Sequence, residues 1–190
     1  MAHEIIENKS YQNIDFSKNP IKRANYDCCE FIDCDFSNAD FSNFSFSECV
    51  FKNSNLSTIS LKNTTLKEVK FENCKLIGII FSDCNKFLLT LCFDGCNLSY
   101  ATFFKLTLKK TRFSNCLFQE TDFSEADLSG SLFDKCDFRY AQFDHTIIDK
   151  SDFRTSFNYI IDPTQNLIKK AKFSLVGIPG LLMNFDIEID

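Results

Sequence analysis

The amino-acid sequence predicts an all-β solenoid built from very short strands, and three observations lead to this fold class. Between Phe113 and Phe153 a large apolar residue occupies every fifth position. A small residue stands two places before each large one, and the other positions of each five are mostly polar. The large residues, which we predict to form the core ladder, are Phe113, Phe118, Phe123, Leu128, Phe133, Phe138, Phe143, Ile148 and Phe153.

A period of five fits neither an α-helix nor a regular strand, whose side chains repeat every 3.6 and every two residues. The small and the large residue are two apart, so in an extended segment they point to the same side. The next inward residue comes three later, which requires a turn. A chain that turns in the same direction at every corner winds into a solenoid, in which each coil buries its inward residues against its neighbours.

The repeat predicts three segments along the chain. Residues 1–13 are expected to be a polar lead-in, residues 14–157 the solenoid, and residues 158–190 a C-terminal cap and dimerisation segment. Within the solenoid, Phe44 stands in a slot that otherwise holds smaller residues, which predicts a local bulge.

The register of large residues is interrupted at 82–87. Counting by five from Phe81 reaches Lys86, and large residues resume at Leu88, so two extra residues are expected within 83–87. An insertion in a solenoid projects as a loop at one corner. Asn85, Lys86 and Phe87 therefore form a candidate partner loop, although Phe87 could equally fold back over its own corner.

The C-terminal tail, from Val176 to Asp190, is too apolar for a solvated segment. Pro179 is expected to start a short helix over 180–185, followed by further apolar residues. These side chains either cap the last coil or form a two-fold dimer interface. The candidate interface residues are Leu181, Leu182, Met183, Phe185 and Ile187.

Ten cysteines call for an explanation, and most of them occupy the small inward slot of a repeat. Reduced thiols packed as small apolar residues explain this better than a disulfide framework or a zinc site, because the chain has no CxxC pair and His3 and His145 are far apart. Asp and Ser recur at fixed outward positions, as solvated corner residues do. We expect no catalytic residues, no metal, no cofactor and no enzymatic activity.

The net charge of −5 disfavours nucleic-acid binding through a generally basic surface. We find no apolar leader and no run long enough to cross a membrane, so a soluble cytoplasmic protein is expected. Acidic residues concentrate between Asp27 and Phe51 and between Glu120 and Asp152, and a basic band including Lys105 and Arg112 separates them. This pattern either serves solubility or presents negative charge on a rod as DNA does.

Segments such as Ala126–Gly130, Ala39–Asn43 and Cys34–Asn38 resemble the pentapeptide-repeat family. The resemblance implies a right-handed, four-sided (quadrilateral) β-helix with four fives in each coil. At that number the traced repeats give about seven coils, followed by the short helical or irregular tail.

The segment from Asn97 to Lys105, with Leu108 and Lys110, resembles Qnr-type quinolone-resistance proteins, a subgroup that includes MfpA and McbG. This implies a homodimer joined at its C-terminal ends that interacts with DNA gyrase or topoisomerase IV and protects them from poisons. The chain lacks the two long loops that many Qnr proteins carry. The alternative is a non-enzymatic interaction scaffold with no topoisomerase partner.

Overall fold

A computed structural model of the chain describes residues 4–185 and 187–188. The first three residues of the predicted lead-in, and residues 186, 189 and 190 of the predicted tail, lie outside this range. The described chain is a parallel β-solenoid, which confirms the fold class predicted from the sequence.

Within residues 4–185 and 187–188, eleven short strands form two parallel sheets. One sheet has the order β1-β3-β5-β7 and the other has the order β11-β10-β9-β8-β6-β4-β2. Partner residues are 20 positions apart along the chain, as in the pairing of Phe31 with Phe51, so one coil is four fives. The strands are β1 (Ile5–Glu7), β2 (Ser10–Gln12), β3 (Asn25–Asp27), β4 (Glu30–Ile32), β5 (Ser45–Ser47), β6 (Val50–Lys52), β7 (Thr65–Lys67), β8 (Val69–Glu72), β9 (Leu91–Asp94), β10 (Arg112–Ser114) and β11 (Leu132–Asp134).

Each coil has four faces, which we number in chain order. Face 1 carries β1, β3, β5 and β7, and face 2 carries the larger sheet. Faces 3 and 4 are held by single bridges between coils, such as Asp15 with Asp35 on face 3 and Asp122 with Gln142 on face 4. Because the chain visits the faces in order, face 1 lies opposite face 3, and the corner between faces 1 and 2 lies diagonally opposite the corner between faces 3 and 4.

The corners are made by residues in the left-handed backbone region. Asn38, Glu48 and Lys150, for example, have φ values of 61°, 53° and 61°. This conformation is costly for most side chains and easiest for Gly and Asn. The corner N–H groups donate to carbonyls of the next coil, as Asn38 N does to Ser57 O at 3.1 Å, and these bonds offset the backbone cost.

The core is a set of stacked side-chain columns, one for each face. On face 2 the ring of Phe133 lies between those of Phe113 and Phe153, with centroids 4.9 Å and 4.5 Å away and nearly parallel planes. Each stacked aromatic pair adds about 0.5–1.5 kcal/mol beyond the area it buries. The ladder residues from Phe113 to Phe153 are all buried.

Phe44 does not produce the expected bulge. Ser45, beside it, pairs with both Asn25 and Thr65 at the ordinary spacing of 20 residues. The corresponding inward positions of the neighbouring coils hold Ala24 and Thr64, and these smaller side chains leave room for the buried ring.

The insertion lies later than the sequence predicts. Asn85 still pairs with Thr65 across 20 residues, whereas Leu91 pairs with Val69 across 22. Leu88 is not a core residue: it takes the corner conformation with φ of 59° and is 55% exposed. The two extra residues therefore follow Leu88, and Leu89, one of them, packs partly against the core.

The solenoid extends beyond both predicted boundaries. Strands β1 and β2 lie within the predicted lead-in of residues 1–13 and pair with β3 and β4. At the other end, Leu167 bridges Ile147 and Lys172 bridges Asp152. Ile6 and Tyr11 continue the period of five back from Phe16 and pack against the core. Beyond Phe153 the period is interrupted at Asn158 and Pro163 and resumes at Ile168 and Phe173, which also pack against the core.

After the last coil the chain forms a 3₁₀ turn at Leu175–Gly177, the helix α1 at Pro179–Leu182 and a second 3₁₀ turn at Met183–Phe185. Only the first part of the helix expected at 180–185 is therefore α-helical. Among the described residues, no helix has the length and apolar character needed to cross a membrane.

Candidate functional site

Acidic side chains gather on faces 3 and 4 in the C-terminal half of the solenoid. We call this group the acidic surface. Two basic side chains lie beside this group. Arg139 pairs with Asp137 at 3.7 Å, and Lys105 pairs with Glu125 at 3.2 Å. The acidic surface consists of Glu120, Asp122, Glu125, Asp137, Asp144 and Asp162.

Several of these aspartates also build the turn that follows them. Asp122 Oδ1 accepts a hydrogen bond from Ser124 N at 2.8 Å, and Asp162 Oδ1 accepts one from Thr164 N at 2.7 Å. An Asp carboxylate that bonds the backbone two residues on is a common turn device. Hydrogen bonds from Thr164, its side chain first, lower the pKa of Asp162, so this carboxylate is ionised at neutral pH.

Aromatic side chains interrupt the acidic surface at the corner between faces 3 and 4. Tyr100, Glu120 and Tyr140 occupy successive coils of this corner, with φ values of 60°, 53° and 60°. Both tyrosines are exposed. The negative charge of Glu120 raises the pKa of Tyr100, which indicates that the two side chains are close.

The predicted partner loop is exposed and lies close to face 4. Lys86 Nζ donates to Lys105 O at 3.3 Å, and Phe87 N donates to Asn85 Oδ1 at 3.0 Å. Phe87 is exposed and does not fold over its corner. The sequence analysis missed Leu88 as a second exposed apolar residue, because the period of five assigned it to the core.

The candidate dimer residues divide into two groups. Leu181 is buried against its own chain and Leu182 is half-buried, whereas the others are exposed. Leu175 and Val176 were not predicted as interface residues, yet they are 89% and 90% exposed at the same end. The exposed members of the predicted set are Met183, Phe185 and Ile187.

The tail is attached to the solenoid through two glycines that lie against Tyr159. Ile161 N donates to Gly180 O at 3.0 Å. A Cβ atom on Gly180 would lie 2.1 Å from Tyr159 O, and one on Gly177 would lie 1.8 Å from the Tyr159 hydroxyl. An open cavity of about 380 Å³ lies between this tail and the corner that carries Tyr140.

The cysteines in the small inward slots are buried in the solenoid. Cys74 Sγ donates to Phe51 O at 3.3 Å, and burial raises its pKa to about 12. A thiol of this kind carries little thiolate at neutral pH and is a weak nucleophile. Within the described ranges, no group of three or more His, Cys, Asp or Glu side chains is placed to bind a metal ion.

Comparison with protein families gives one consistent result. A family model described as "Pentapeptide repeat region" matches residues 24–91 and 86–157. No curated protein matches the chain at a significant level.

Among solved structures, a trypsin-treated variant of QnrB1 is similar over 98% of this chain and 99% of its own, with 20% identity and a TM-score of 0.52. QnrB1 is a plasmid-mediated fluoroquinolone resistance protein. Full-length QnrB1 has 22% identity over 96% of this chain and 100% of its own, with a TM-score of 0.46. HetL from Nostoc sp. strain PCC 7120 has 16% identity over 90% of this chain and 87% of its own, with a TM-score of 0.34. The first similarity supports the fold alone, and the other two carry no structural argument.

Proposed function

The chain belongs to the pentapeptide-repeat family, and we propose that it is a non-enzymatic binding protein that imitates DNA toward DNA gyrase or topoisomerase IV. By occupying a DNA-binding groove of the enzyme in the cytoplasm, it protects the enzyme from quinolone-type or peptide poisons. The observation that carries this proposal is the acidic surface on faces 3 and 4.

The acidic surface distributes its carboxylates over successive coils, which rise by about 4.8 Å each. They do not form an unbroken column, because Asp122 is followed on the next coil by Gln142. A duplex presents phosphates at about 3.4 Å intervals along each strand. Asp122 and Asp162 are fixed by their hydrogen bonds to the following turn. A positively charged groove for duplex DNA attracts such a surface and accelerates its association.

A homodimer joined at the C-terminal ends would double the length of this surface. The apolar side chains of Val176, Met183 and Phe185 are exposed at that end. Burying such side chains contributes about 1.5–3 kcal/mol each. In a two-fold contact the same patch serves both chains. The candidate partner loop, Asn85–Phe87, would add an apolar contact beside face 4.

A second candidate function is an interaction scaffold with no topoisomerase partner. It is favoured by the exposed Tyr100 and Tyr140, which flank Glu120 at the corner of the acidic surface. Exposed tyrosines are common in protein interfaces that are not specialised for phosphate grooves. The scaffold would use the same corner to bind a protein that has no DNA-binding groove.

The test is gyrase supercoiling of relaxed plasmid in the presence of a fluoroquinolone, the drug class named in the description of QnrB1. We expect the full chain to restore supercoiling and a chain truncated before Val176 to restore much less. Truncation removes both the cap of the last coil and the proposed dimer interface. A chain with Leu175→Glu and Val176→Glu keeps the cap and disrupts only the interface, so it shows which of the two losses matters. If the folded full chain neither restores nor inhibits supercoiling at micromolar concentration, the scaffold is the better account.

A further inference from the structure

The structure gathers basic side chains at the corner between faces 1 and 2, diagonally opposite the corner that carries Glu120. The corner column of successive coils is Lys110, Gly130, Lys150 and Lys170, all with left-handed φ values. Further cations flank this column on the two faces. We call the whole group the basic ridge, and it consists of Lys109, Lys110, Arg112, Lys150, Lys169, Lys170 and Lys172.

The ridge is only partly neutralised by nearby carboxylates. Asp127 pairs with Lys109 at 3.0 Å, and Asp152 lies 3.7 Å from Lys172 and 2.7 Å from Arg154. The third carboxylate of the region, Asp149, accepts a hydrogen bond from a backbone N–H at 2.7 Å.

Other cations of the ridge make no ion pair. In the described part of the chain, no carboxylate lies within 4.0 Å of the ammonium group of Lys110, Lys150, Lys169 or Lys170. All four side chains are exposed. Their charges are therefore available to an anion in solution.

We propose that the basic ridge binds the phosphate backbone of duplex DNA. The column from Lys110 to Lys170 covers three coil steps, or about 14 Å, along a straight corner. Lysine ammonium groups act as point charges for phosphates and require no bidentate geometry. Gly130 has no side chain, and Lys110 Cγ lies 3.5 Å from where its Cβ atom would be, so the stem of Lys110 packs over this position.

A duplex fits this ridge better than the other polyanions. Proteins that bind single strands stack the bases on aromatic side chains, and the exposed Tyr100 and Tyr140 are at the opposite corner. An acidic peptide would lose its chain entropy on binding, and recognition of peptides typically uses arginine clusters, apolar grooves or a free strand edge, whereas the ridge contains one arginine, Arg112. At the ridge the backbone already bonds to neighbouring coils, as Lys150 N does to Lys169 O at 2.9 Å.

The negative net charge does not prevent this contact. Opposite sheets of side chains are separated by about 10 Å or more, and the screening length at 0.1 M salt is about 10 Å. Salt therefore weakens the repulsion between the acidic surface and DNA at the ridge. The average charge of −5 led the sequence analysis to expect no nucleic-acid binding, but the fold separates the two signs.

The test is fluorescence anisotropy of the full chain with a labelled duplex of mixed sequence, at several salt concentrations. If three phosphates are contacted, the affinity falls roughly 40-fold between 50 and 200 mM salt. The test variant carries Lys110→Gln, Lys150→Gln and Lys170→Gln. The control carries Lys18→Gln, Lys62→Gln and Lys75→Gln, which give the same net charge but lie on faces 3 and 4.

We expect the ridge variant to lose about tenfold or more in affinity at 50 mM salt, with a salt slope smaller by about three, and the control to stay close to the wild type. Circular dichroism verifies that both variants fold. Absence of duplex binding by the wild type at low salt overturns the proposal, as does an equal loss in both variants. Equally tight binding of poly-glutamate that depends on the same lysines assigns the ridge to an acidic protein instead. The acidic surface plays no part in these measurements, so their failure leaves the proposed function untouched.

Discussion

At the scale of single residues, one aspartate position of the repeat serves both structure and surface charge. Asp122, Asp137 and Asp162 each bond the backbone N–H two residues later, at 2.8, 3.1 and 2.7 Å. The same carboxylates remain partly exposed on faces 3 and 4. The sequence analysis recognised these positions as corner residues, and the structure adds that they also supply the acidic surface.

Gly180 provides a residue-scale prediction. Alanine normally stabilises a helical position by about 1 kcal/mol over glycine. Here a Cβ atom would lie 2.1 Å from the backbone oxygen of Tyr159, so we expect Gly180→Ala to destabilise the C-terminal end and expose the tail to proteolysis. Limited proteolysis and thermal unfolding measure this effect.

The matched control is Gly130→Ala. Its Cβ atom would meet only Lys110 Cγ at 3.5 Å, although φ of 70° makes alanine unfavourable there by about 1–2 kcal/mol. This variant should lower the overall stability without releasing the tail. Faster cleavage of the tail in Gly130→Ala than in Gly180→Ala would contradict the close contact with Tyr159.

At the scale of elements, the inner columns couple each coil to the next. Phe133 stacks on a ring of the coil before it and on one of the coil after it. We expect Phe133→Ala to cost about 3–5 kcal/mol in the free energy of unfolding, because the cavity is closed on both sides by other coils. Tyr140→Ala, an exposed position, should change it by less than about 0.5 kcal/mol. Chemical denaturation measures both, and equal losses would be inconsistent with a packed ladder.

The buried thiols make the stability of the solenoid depend on alkaline pH. Burial raises the pKa of Cys49 and Cys74 to about 12 and that of Cys84 to about 11. In the unfolded chain these thiols ionise near pH 8.5, so above that pH the unfolded state binds fewer protons than the folded state. The contribution of the buried thiols to the free energy of unfolding is complete below about pH 8.5. It is lost as the pH rises toward 11–12, by up to about 1.4 kcal/mol per thiol and pH unit.

Denaturant titrations between pH 7 and 11 under reducing conditions measure this loss. The variant with Cys49→Ala, Cys74→Ala and Cys84→Ala should show a flatter pH dependence, and alanine already occupies the same kind of slot at Ala126. An unchanged slope would mean that other groups, such as the buried Tyr26, dominate alkaline unfolding.

The sequence predicted the elements well where the period is unbroken. The ladder from Phe113 to Phe153 could be read directly, because each slot has a fixed size and polarity. The insertion was misplaced, because Leu88 is large enough for a core slot and only the pairing of Leu91 with Val69 reveals its true position. The coil at the C-terminal end was missed because Asn158 and Pro163 interrupt the period before Ile168 and Phe173. The N-terminal coil could have been predicted from Ile6 and Tyr11, which continue the period back from Phe16.

At the scale of the whole molecule, the fold separates charges that alternate along the sequence. Successive fives visit four faces, so neighbours on one surface are 20 residues apart, as Asp127 and Ile147 are. Basic Lys110 and acidic Glu120 are ten residues apart in the sequence, but they lie at diagonally opposite corners. The order of charges along the chain does not assign them to faces until the coil register is known.

The C-terminal end yields a prediction about assembly. If the exposed apolar residues join two chains, Leu175→Glu with Val176→Glu should convert a dimer into a monomer, because a charge in each copy would be buried at the two-fold contact. Analytical ultracentrifugation measures the mass. The control Phe87→Glu with Leu88→Glu changes two other exposed apolar residues far from this end and should leave the mass unchanged. A monomeric wild type would contradict the proposed dimer.

Direct binding to DNA gyrase, measured by biolayer interferometry, tests the role of the acidic surface most directly. The test variant carries Glu120→Gln, Asp122→Asn and Asp144→Asn, which keep the shape of each side chain and the hydrogen bond to Ser124 N. The control carries Asp27→Asn on face 1 with Asp33→Asn and Glu48→Gln at the two corners that border face 2, which gives the same change in net charge. We predict that the wild type and the control bind gyrase and that the test variant binds at least about tenfold more weakly. Equal binding by all three chains, or no binding by the wild type, would contradict DNA mimicry by this surface.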